Sequence, residues 1–400
     1  MNKIMSFIQS LMRILKLFLQ FCTDFFAGAF AVKNSGPEKR ILILNYWHLG
    51  DFLMLLAAYK EIRKYFSEHK IYFLTNLDIA GKTSYFDKIF DIDLQRMFFR
   101  KGSLPGNIIY RFKSFRKINL YYDYIFNLGR GGNDLTFLTA NLKAKNKIGY
   151  DQTYVSGIKK TLWKPISKIY TKRVKSGNMH VVWALKDYFL QSIPDYKVQD
   201  DKYYLPKLDL PEEEYESLKN KDYYVIALGS TNKLKNWNLS KFAEFAEKAG
   251  TETGIIVLAG AKDEISIGRA FEKEYKGKKN IINLIGKTNL TELVSIVGHA
   301  RFFIGNDTGI THLAVALSVP SICIVGGSTF NCCFPYFEND DDGISNAKNL
   351  CVFEKTDCFN CWYRCVYNVK KGEAYKCLEI ITIKQVLEKY EKLKSRFNIK

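Results

Sequence analysis

Asp307, Thr308 and His312 stand in the pattern D-T-G-x-x-H, which gathers a carboxylate, a hydroxyl and an imidazole into one short stretch. Phe302, Phe303 and Ile304 before it make an apolar run suited to a buried strand, and residues 310–317 after it are apolar at helical density. A strand, a tight turn and a helix leave the first helical N–H groups unpaired and pointing outward. The helix dipole adds partial positive charge, so the turn suits a phosphate. Gly309 lets a ligand approach the backbone closely. The set fits a nucleotide-sugar, with backbone for the diphosphate and side chains for the hydroxyls. A plainer reading of the same residues is an N-cap at Asp307 or Thr308 and a partly buried histidine at 312.

Asp51 is the second residue placed for chemistry. It follows an apolar run at 41–44 and a turn at 45–50, and it opens an apolar helical stretch at 52–66. In open α/β sheets ligands bind beyond the carboxyl ends of the strands, where this carboxylate falls. It is either a helix cap or a general base.

The elements that must hold these residues alternate strand and helix twice over. In the first half, 41–44, 71–75 and 124–127 read as strands, and a glycine-rich turn, LGRGGN with Arg130, precedes a helix at 134–142. Two prolines in YYLPKLDLP, residues 203–211, mark an interdomain linker. The pattern then restarts, with strands at 223–228, 254–259, 281–284, 302–304 and 321–325 and helices at 239–249, 264–275, 291–297 and 310–317. Ser230, Thr231, Lys235, Asp263 and Asp307 fall in the loops at the strand ends. A lysine and hydroxyls facing an anion-binding helix start make a diphosphate clamp, in which Lys235 offsets charge on the departing nucleotide. The fold class expected is α/β, two doubly wound domains; 400 residues exceed what one core usually holds. The divisions are 1–36, 37–205, 206–381 and a closing helix at 382–400.

Residues 1–33 are apolar on one side, with Lys3, Ser6, Ser10, Arg13, Gln20 and Asp24 recurring at helical spacing as a polar stripe. Arg13 and Lys16 sit mid-segment, where a spanning helix would carry a heavy cost, whereas a helix lying in the interface extends both into the headgroups. The expectation is a membrane-surface anchor; a signal-anchor and a helix packed on the protein's own core are the alternatives. The formal charge of +19 requires an anionic partner. Lys143, Lys145, Lys147, Lys159, Lys160, Lys164 and Lys168 belong to a basic run in the first half that reads as a solvated surface. With an interfacial helix beside it, an anionic lipid-linked acceptor accounts for this charge better than nucleic acid, for which no motif is present. The chain lacks a cleavable signal pattern, so a reduced, cytoplasmic setting is expected.

Together these stretches resemble glycosyltransferase family 9, the heptosyltransferase family of lipopolysaccharide core assembly. The matching segments are LNYWHLGDFLMLLAAYKEIRKYF, YDYIFNLGRGGNDLTFLTANLKAKNKIGYD, LGSTNKLKNWNLSKFAEFAEKAG, LAGAKDE and the long run from NLIGKTNLTEL through FFIGNDTGITHLAVA to IVGGS. D-T-G-x-x-H with H-L-G-D and K-x-W is the most specific conjunction. The resemblance implies a GT-B fold, two Rossmann-like domains facing across a cleft, with acceptor on the first and donor on the second. It makes Asp51 the base of an inverting, metal-independent transfer. It places Ser230, Thr231, Lys235, Asp263, Thr288, Asp307, Thr308, Gly309 and His312 around the donor, with Asp263 or Glu264 near the ribose, and His48, Gly50 and Arg130 on the acceptor side. It also implies a nucleotide-sugar donor, ADP-heptose first, no cofactor, a lipopolysaccharide-core or related lipid-linked acceptor, and a monomer at the cytoplasmic face of the bacterial inner membrane. Trp47 and His48 depart from the small hydroxyl residues usual there. Another nucleotide-sugar, or an epimerase-like or non-catalytic relative, is the competing reading.

Cys358, Cys361, Cys365 and Cys377, in a Cys-rich stretch at 332–377, have the spacing C-x2-C-x3-C-x11-C. They are four thiolates for zinc, free buried thiols or an oxidation-prone pair. Residues 382–397 read as a helix, and the GT-B resemblance implies that it packs back on the first domain.

Overall fold

The computed structural model describes residues 2–29, 38–45, 48–75, 77–129, 133–151, 167–175, 181–197, 207–208, 214–249, 254–336, 348–367, 369 and 373–399. The linker expected at 203–211, Trp47 and Arg130 lie wholly or largely outside them. The chain forms two compact units, Met1–Trp47 with Tyr59–Gly177 and Ala184–Gln199, and His48–Ala58 with Asn178–Trp183 and Asp200–Lys400.

The first unit is built on a parallel sheet ordered β3-β2-β1-β4-β5-β6, with β1 Arg40–Leu44, β2 Lys70–Thr75, β3 Lys88–Asp91, β4 Tyr121–Asn127, β5 Lys143–Tyr150 and β6 Lys172–Val174. β1 is buried along its whole length, as a central strand covered on both faces must be. β5, β3 and β6 were not expected. Lys143, Ala144, Lys145, Asn146 and Lys147 alternate, and the exposed Lys143 and Lys145 hide a strand inside what reads as a charged surface.

The Asn2–Ala29 helix packs on this unit against the helices Leu104–Ile118 and Asn133–Asn141. Of its described polar residues, Gln20, Thr23 and Asp24 face inward, and Lys16 is exposed. Asp24 is fully buried and takes Nε of the fully buried Arg111 on Oδ1 at 2.7 Å, with a second guanidinium bond on Oδ2. Gln20, Thr23 and Ala27 are buried beside it. Met12, Leu15, Phe18, Phe21, Phe25 and Phe26 are left outside. Among the described residues no helix is long and apolar enough to cross a membrane.

The second unit repeats the parallel arrangement as β12-β11-β10-β7-β8-β9, with β7 Tyr223–Ala227, β8 Ile255–Leu258, β9 Asn280–Asn283, β10 Phe303–Asn306, β11 Ser321–Ile324 and β12 Asn349–Val352. Counted from each unit's first strand, both sheets have the Rossmann order, 3-2-1-4-5-6. The two together make the α/β GT-B-like fold. The helix Ile383–Phe397 corrects one expectation, because Val386, Tyr390 and Leu393 enter the core of this second unit beside Phe245 and Phe302. The stretch expected as one helix at 52–66 is two, Leu49–Met54 and Leu56–Tyr65, broken at Leu55. Its first part, with Asp51, groups with the second unit and not, as expected, with the first.

Candidate active site

β10 ends in Asn306, which is fully buried and joins three pieces of chain. Its Nδ2 donates to the Leu228 carbonyl at 2.8 Å, and its Oδ1 accepts the Trp237 backbone N–H at 2.9 Å. Its own carbonyl takes the Thr311 hydroxyl at 2.5 Å. The Trp237 indole is buried and donates to the Ile381 carbonyl at 3.1 Å. Between these anchors runs the short turn Lys233–Lys235, capped by Asn232, whose side chain accepts the Leu234 N–H at 3.1 Å. The K-x-W spacing therefore has a mechanical reason. The tryptophan is the nail and the lysine is what it aims.

Lys235 Nζ meets Asp307 Oδ2 at 2.8 Å, and Asp307 Oδ1 lies 3.8 Å from His312 Nε2. Burial pulls the Lys235 ammonium down, but the Asp307 charge and hydrogen bond outweigh it and leave its pKa above the usual lysine value. The His312 imidazole stacks on Phe334 at 4.2 Å, and its Nδ1 shares a 2.8 Å hydrogen bond with the Tyr336 hydroxyl. A cation, a carboxylate and an oriented imidazole thus converge at the start of the helix Gly309–Ala316.

Thr308 is the N-cap of that helix by backbone, yet its side chain makes no capping bond. Its hydroxyl is buried with no hydrogen-bond partner. A buried hydroxyl left bare costs free energy unless something polar arrives. Thr308 thus takes the N-cap position of the plain reading, without the side-chain bond that a capping threonine makes.

Asp51 lies in the third position of the Leu49–Met54 helix, half-buried, and its Oδ2 accepts the His48 backbone N–H at 3.2 Å. Gly50 and Gly309 explain how this short helix comes so near the other. A Cβ on Gly50 would sit 2.8 Å from His312 Cδ2, and one on Gly309 would sit 3.2 Å from the Gly50 nitrogen. Glycine at 309 therefore admits a second helix start as well as any ligand. Asp51 and Asp307 act on a common neighbour, Cys333, whose thiol is pushed up by its hydrogen bond with Cys332, by burial and by both carboxylates.

The remaining expected residues divide. Ser230 is buried and holds its own loop, donating to the Asn232 carbonyl at 2.7 Å. Thr231 and Asp263 are exposed and Thr288 half-exposed, outside the described hydrogen bonds of the cluster. Of Asp263 and Glu264, Glu264 is the one turned to the strand ends. Its carboxylate lies 2.4 Å from where a Cβ of Gly229 or of Gly260 would be, in the gap between the ends of β7 and β8. Burial raises its pKa, partly countered by the Ala261 N–H bonded to it. Asn306, Tyr336 and Phe334 escaped the sequence reading. A polar residue closing the apolar run FFIGN was a usable sign of the first; nothing local signals the other two.

The four-thiolate reading is not assembled. Among the described residues no group of three or more His, Cys, Asp or Glu side chains is arranged to hold a metal. Cys358, Cys361, Cys365 and Cys377 are free thiols, and the Cys377 sulfur accepts the Gly327 N–H at 3.3 Å.

A family model described as glycosyltransferase family 9 (heptosyltransferase) matches residues 111–363, well over half of the chain. The chain belongs to glycosyltransferase family 9. Lipopolysaccharide heptosyltransferase 3 of Escherichia coli is 26% identical to this family 9 chain over 320 residues, 77% of the chain and 80% of that protein. Lipooligosaccharide heptosyltransferase 2 of Haemophilus influenzae is 34% identical over 96 residues, which span 23% of the chain and only 27% of that protein. The solved structure of the E. coli heptosyltransferase WaaC with ADP superposes with a TM-score of 0.63 at 18% identity, over 88% of the chain and 99% of that structure, and shares its fold.

Proposed function

We propose that this glycosyltransferase moves heptose from ADP-heptose, with inversion, to a lipopolysaccharide-core or related lipid-linked acceptor. Asp51 removes the proton of the acceptor hydroxyl as that oxygen attacks the anomeric carbon, the glycosidic bond to the diphosphate breaks, and the electron pair leaves with ADP. Lys235 and the first N–H groups of the Gly309–Ala316 helix offset the charge that develops on the diphosphate, so no metal or covalent intermediate is needed. Thr308 and His312 are left to hold hydroxyls of the donor. The observation that carries the reading is the Lys235–Asp307–His312 set at a helix start, with an unpartnered threonine hydroxyl beside it and the Asp51 helix packed on it. The ADP in the E. coli structure supports the nucleotide, and the E. coli relative supports the sugar and acceptor class. Titration calorimetry with ADP-heptose and ADP, followed by transfer assays, tests it; a chain that binds neither ligand ends the donor assignment.

The enzyme acts as a peripheral monomer on the cytoplasmic face of the inner membrane. What supports this is the inverted helix at the front of the chain. Gln20, Thr23 and Asp24 are spent on the domain, while Phe18, Phe25 and Phe26, at 61%, 64% and 60% exposure, look outward. Interfacial aromatic residues with lysines nearby suit an anionic bilayer surface. Because Asp24 is part of the fold, the clean test is not deletion but Phe18→Ser, Phe25→Ser and Phe26→Ser together. Co-sedimentation with phosphatidylglycerol vesicles should fall at least tenfold; unchanged sedimentation refutes the anchor.

A further inference from the structure

The segment that follows β12 carries exposed aromatic side chains on a backbone no solvent-facing loop requires. Trp362 and Tyr363 are 53% and 45% exposed, and they stand at φ of 50° and 64°. Asn360, in the same turn, has a φ of 62°. Bulky residues rarely occupy this left-handed region, and they persist there only when their surroundings hold them. The hold is visible. The Asn360 and Trp362 N–H groups donate to the Gly327 and Ser328 carbonyls at 2.7 and 2.9 Å, and Phe359 lies so close to Gly327 that a Cβ there would meet its ring at 2.4 Å. Phe359 also packs on Phe330 at 5.0 Å.

These ties seat the aromatic pair beside the lysine clamp. The Tyr363 ring lies 6.5 Å from that of Tyr375, whose N–H donates to the Leu234 carbonyl at 2.9 Å and whose hydroxyl receives the Asn232 side chain at 3.4 Å. Leu234 and Asn232 belong to the turn that aims Lys235, and the Tyr363 phenol is near enough to act on the Lys235 ammonium.

The strand order then assigns direction. Lys235 follows β7 and Asp307 follows β10, the adjacent central strands, so the diphosphate belongs between them. To one side, at β8, stands the Glu264 carboxylate, the kind of group that takes ribose hydroxyls. On the other side, at β11, stand the Gly327 loop and the aromatic pair held on it. With the nucleoside toward Glu264, the transferred sugar points toward Trp362 and Tyr363. The C–H face of a pyranose ring is apolar and slightly positive, and aromatic faces are apolar and slightly negative. Such walls, with a few polar groups, are what fix a small ligand in its pocket.

We propose that Trp362 and Tyr363 form the stacking wall for the sugar of the donor and help to decide which sugar is accepted. This rests on the donor reading above. The test is calorimetric binding of ADP-heptose, ADP-glucose and UDP-glucose, each against its free diphosphate, by the full chain, by W362A/Y363A and by W362F/Y363F. Both side chains are substantially exposed, so truncation empties no core, and melting temperatures check this. The double alanine variant should lose about tenfold or more in affinity for the preferred nucleotide-sugar while its affinity for the free diphosphate stays within about twofold. The phenylalanine variant should recover most of the loss. Unchanged affinity for the nucleotide-sugar in the alanine variant overturns the wall, as does an equal loss for sugar and free diphosphate. A wild-type chain that binds none of the ligands overturns the donor reading instead.

Discussion

Each of the two sheets ends its fourth strand in a buried asparagine, Asn127 on β4 and Asn306 on β10, and the chain uses the two in opposite ways. Asn127 is closed by its own surroundings. Its Nδ2 donates to Thr139 and Tyr170 hydroxyls at 3.1 and 2.8 Å, and its Oδ1 accepts the Gly129 N–H at 3.0 Å. The Tyr170 hydroxyl passes a further bond to Thr136 at 3.1 Å, and burial raises its pKa to about 12. Asn306 instead grips the backbone of two neighbouring segments and leaves Lys235, Asp307, His312 and a bare Thr308 hydroxyl grouped at the strand end. One strand end is closed by the protein's own hydroxyls. The other gathers a cation, a carboxylate and an imidazole, and topology alone does not distinguish them.

The largest effect is expected at Asp51. D51N should lower turnover by about 10²–10⁴-fold with donor affinity unchanged, as removal of a general base does; full activity in a transfer assay would strip Asp51 of that role. K235M should come next, with a loss of about 10²–10³-fold in kcat and weaker ADP binding by calorimetry, since it removes the charge facing the leaving group. The asparagine pair tests the contrast itself. N127A and N306A should each cost about 1–3 kcal/mol in denaturant unfolding, because each leaves buried partners unmatched, but only N306A should weaken ADP binding. Equal effects on ADP would erase the distinction between the strand ends.

The smallest effect concerns pH. Glu264 has a pKa raised above its ordinary 4.5 in the folded state, so just above that value the native chain holds a proton the unfolded chain has released. Stability then falls as pH rises from the ordinary value through the raised one. E264Q should flatten this slope in melting temperatures recorded from pH 4 upward. A slope identical to the parent's would show that Glu264 is not its source.

Much of this was legible from residue order. The buried strands Ile41–Leu44 and Phe302–Ile304 announce themselves because central parallel strands are apolar on both faces. The D-T-G-x-x-H turn announces itself because strand, glycine and helix lie within a few residues. β5 was hidden because its lysines mask a period of two, and β12 because it is short and sits among cysteines. The amphipathic helix was found, but which face meets the domain was not. A stripe of polar residues ordinarily faces water, and it takes the buried Arg111 and Asn141, both far along the chain, to turn Asp24 inward.

By itself, then, the sequence determined two α/β halves, the strand, turn and helix from Phe303 to Ala316 and the identity of the residues around that turn, since these depend on local period and turn chemistry. Tertiary structure decided the rest. It set Glu264 rather than Asp263 against the two strand ends, Tyr336 against His312, and the Asp51 helix against the Gly309 turn. Those pairings join residues far apart in the chain through close packing and single hydrogen bonds, and nothing in a linear spacing encodes a contact that only a folded sheet brings within reach.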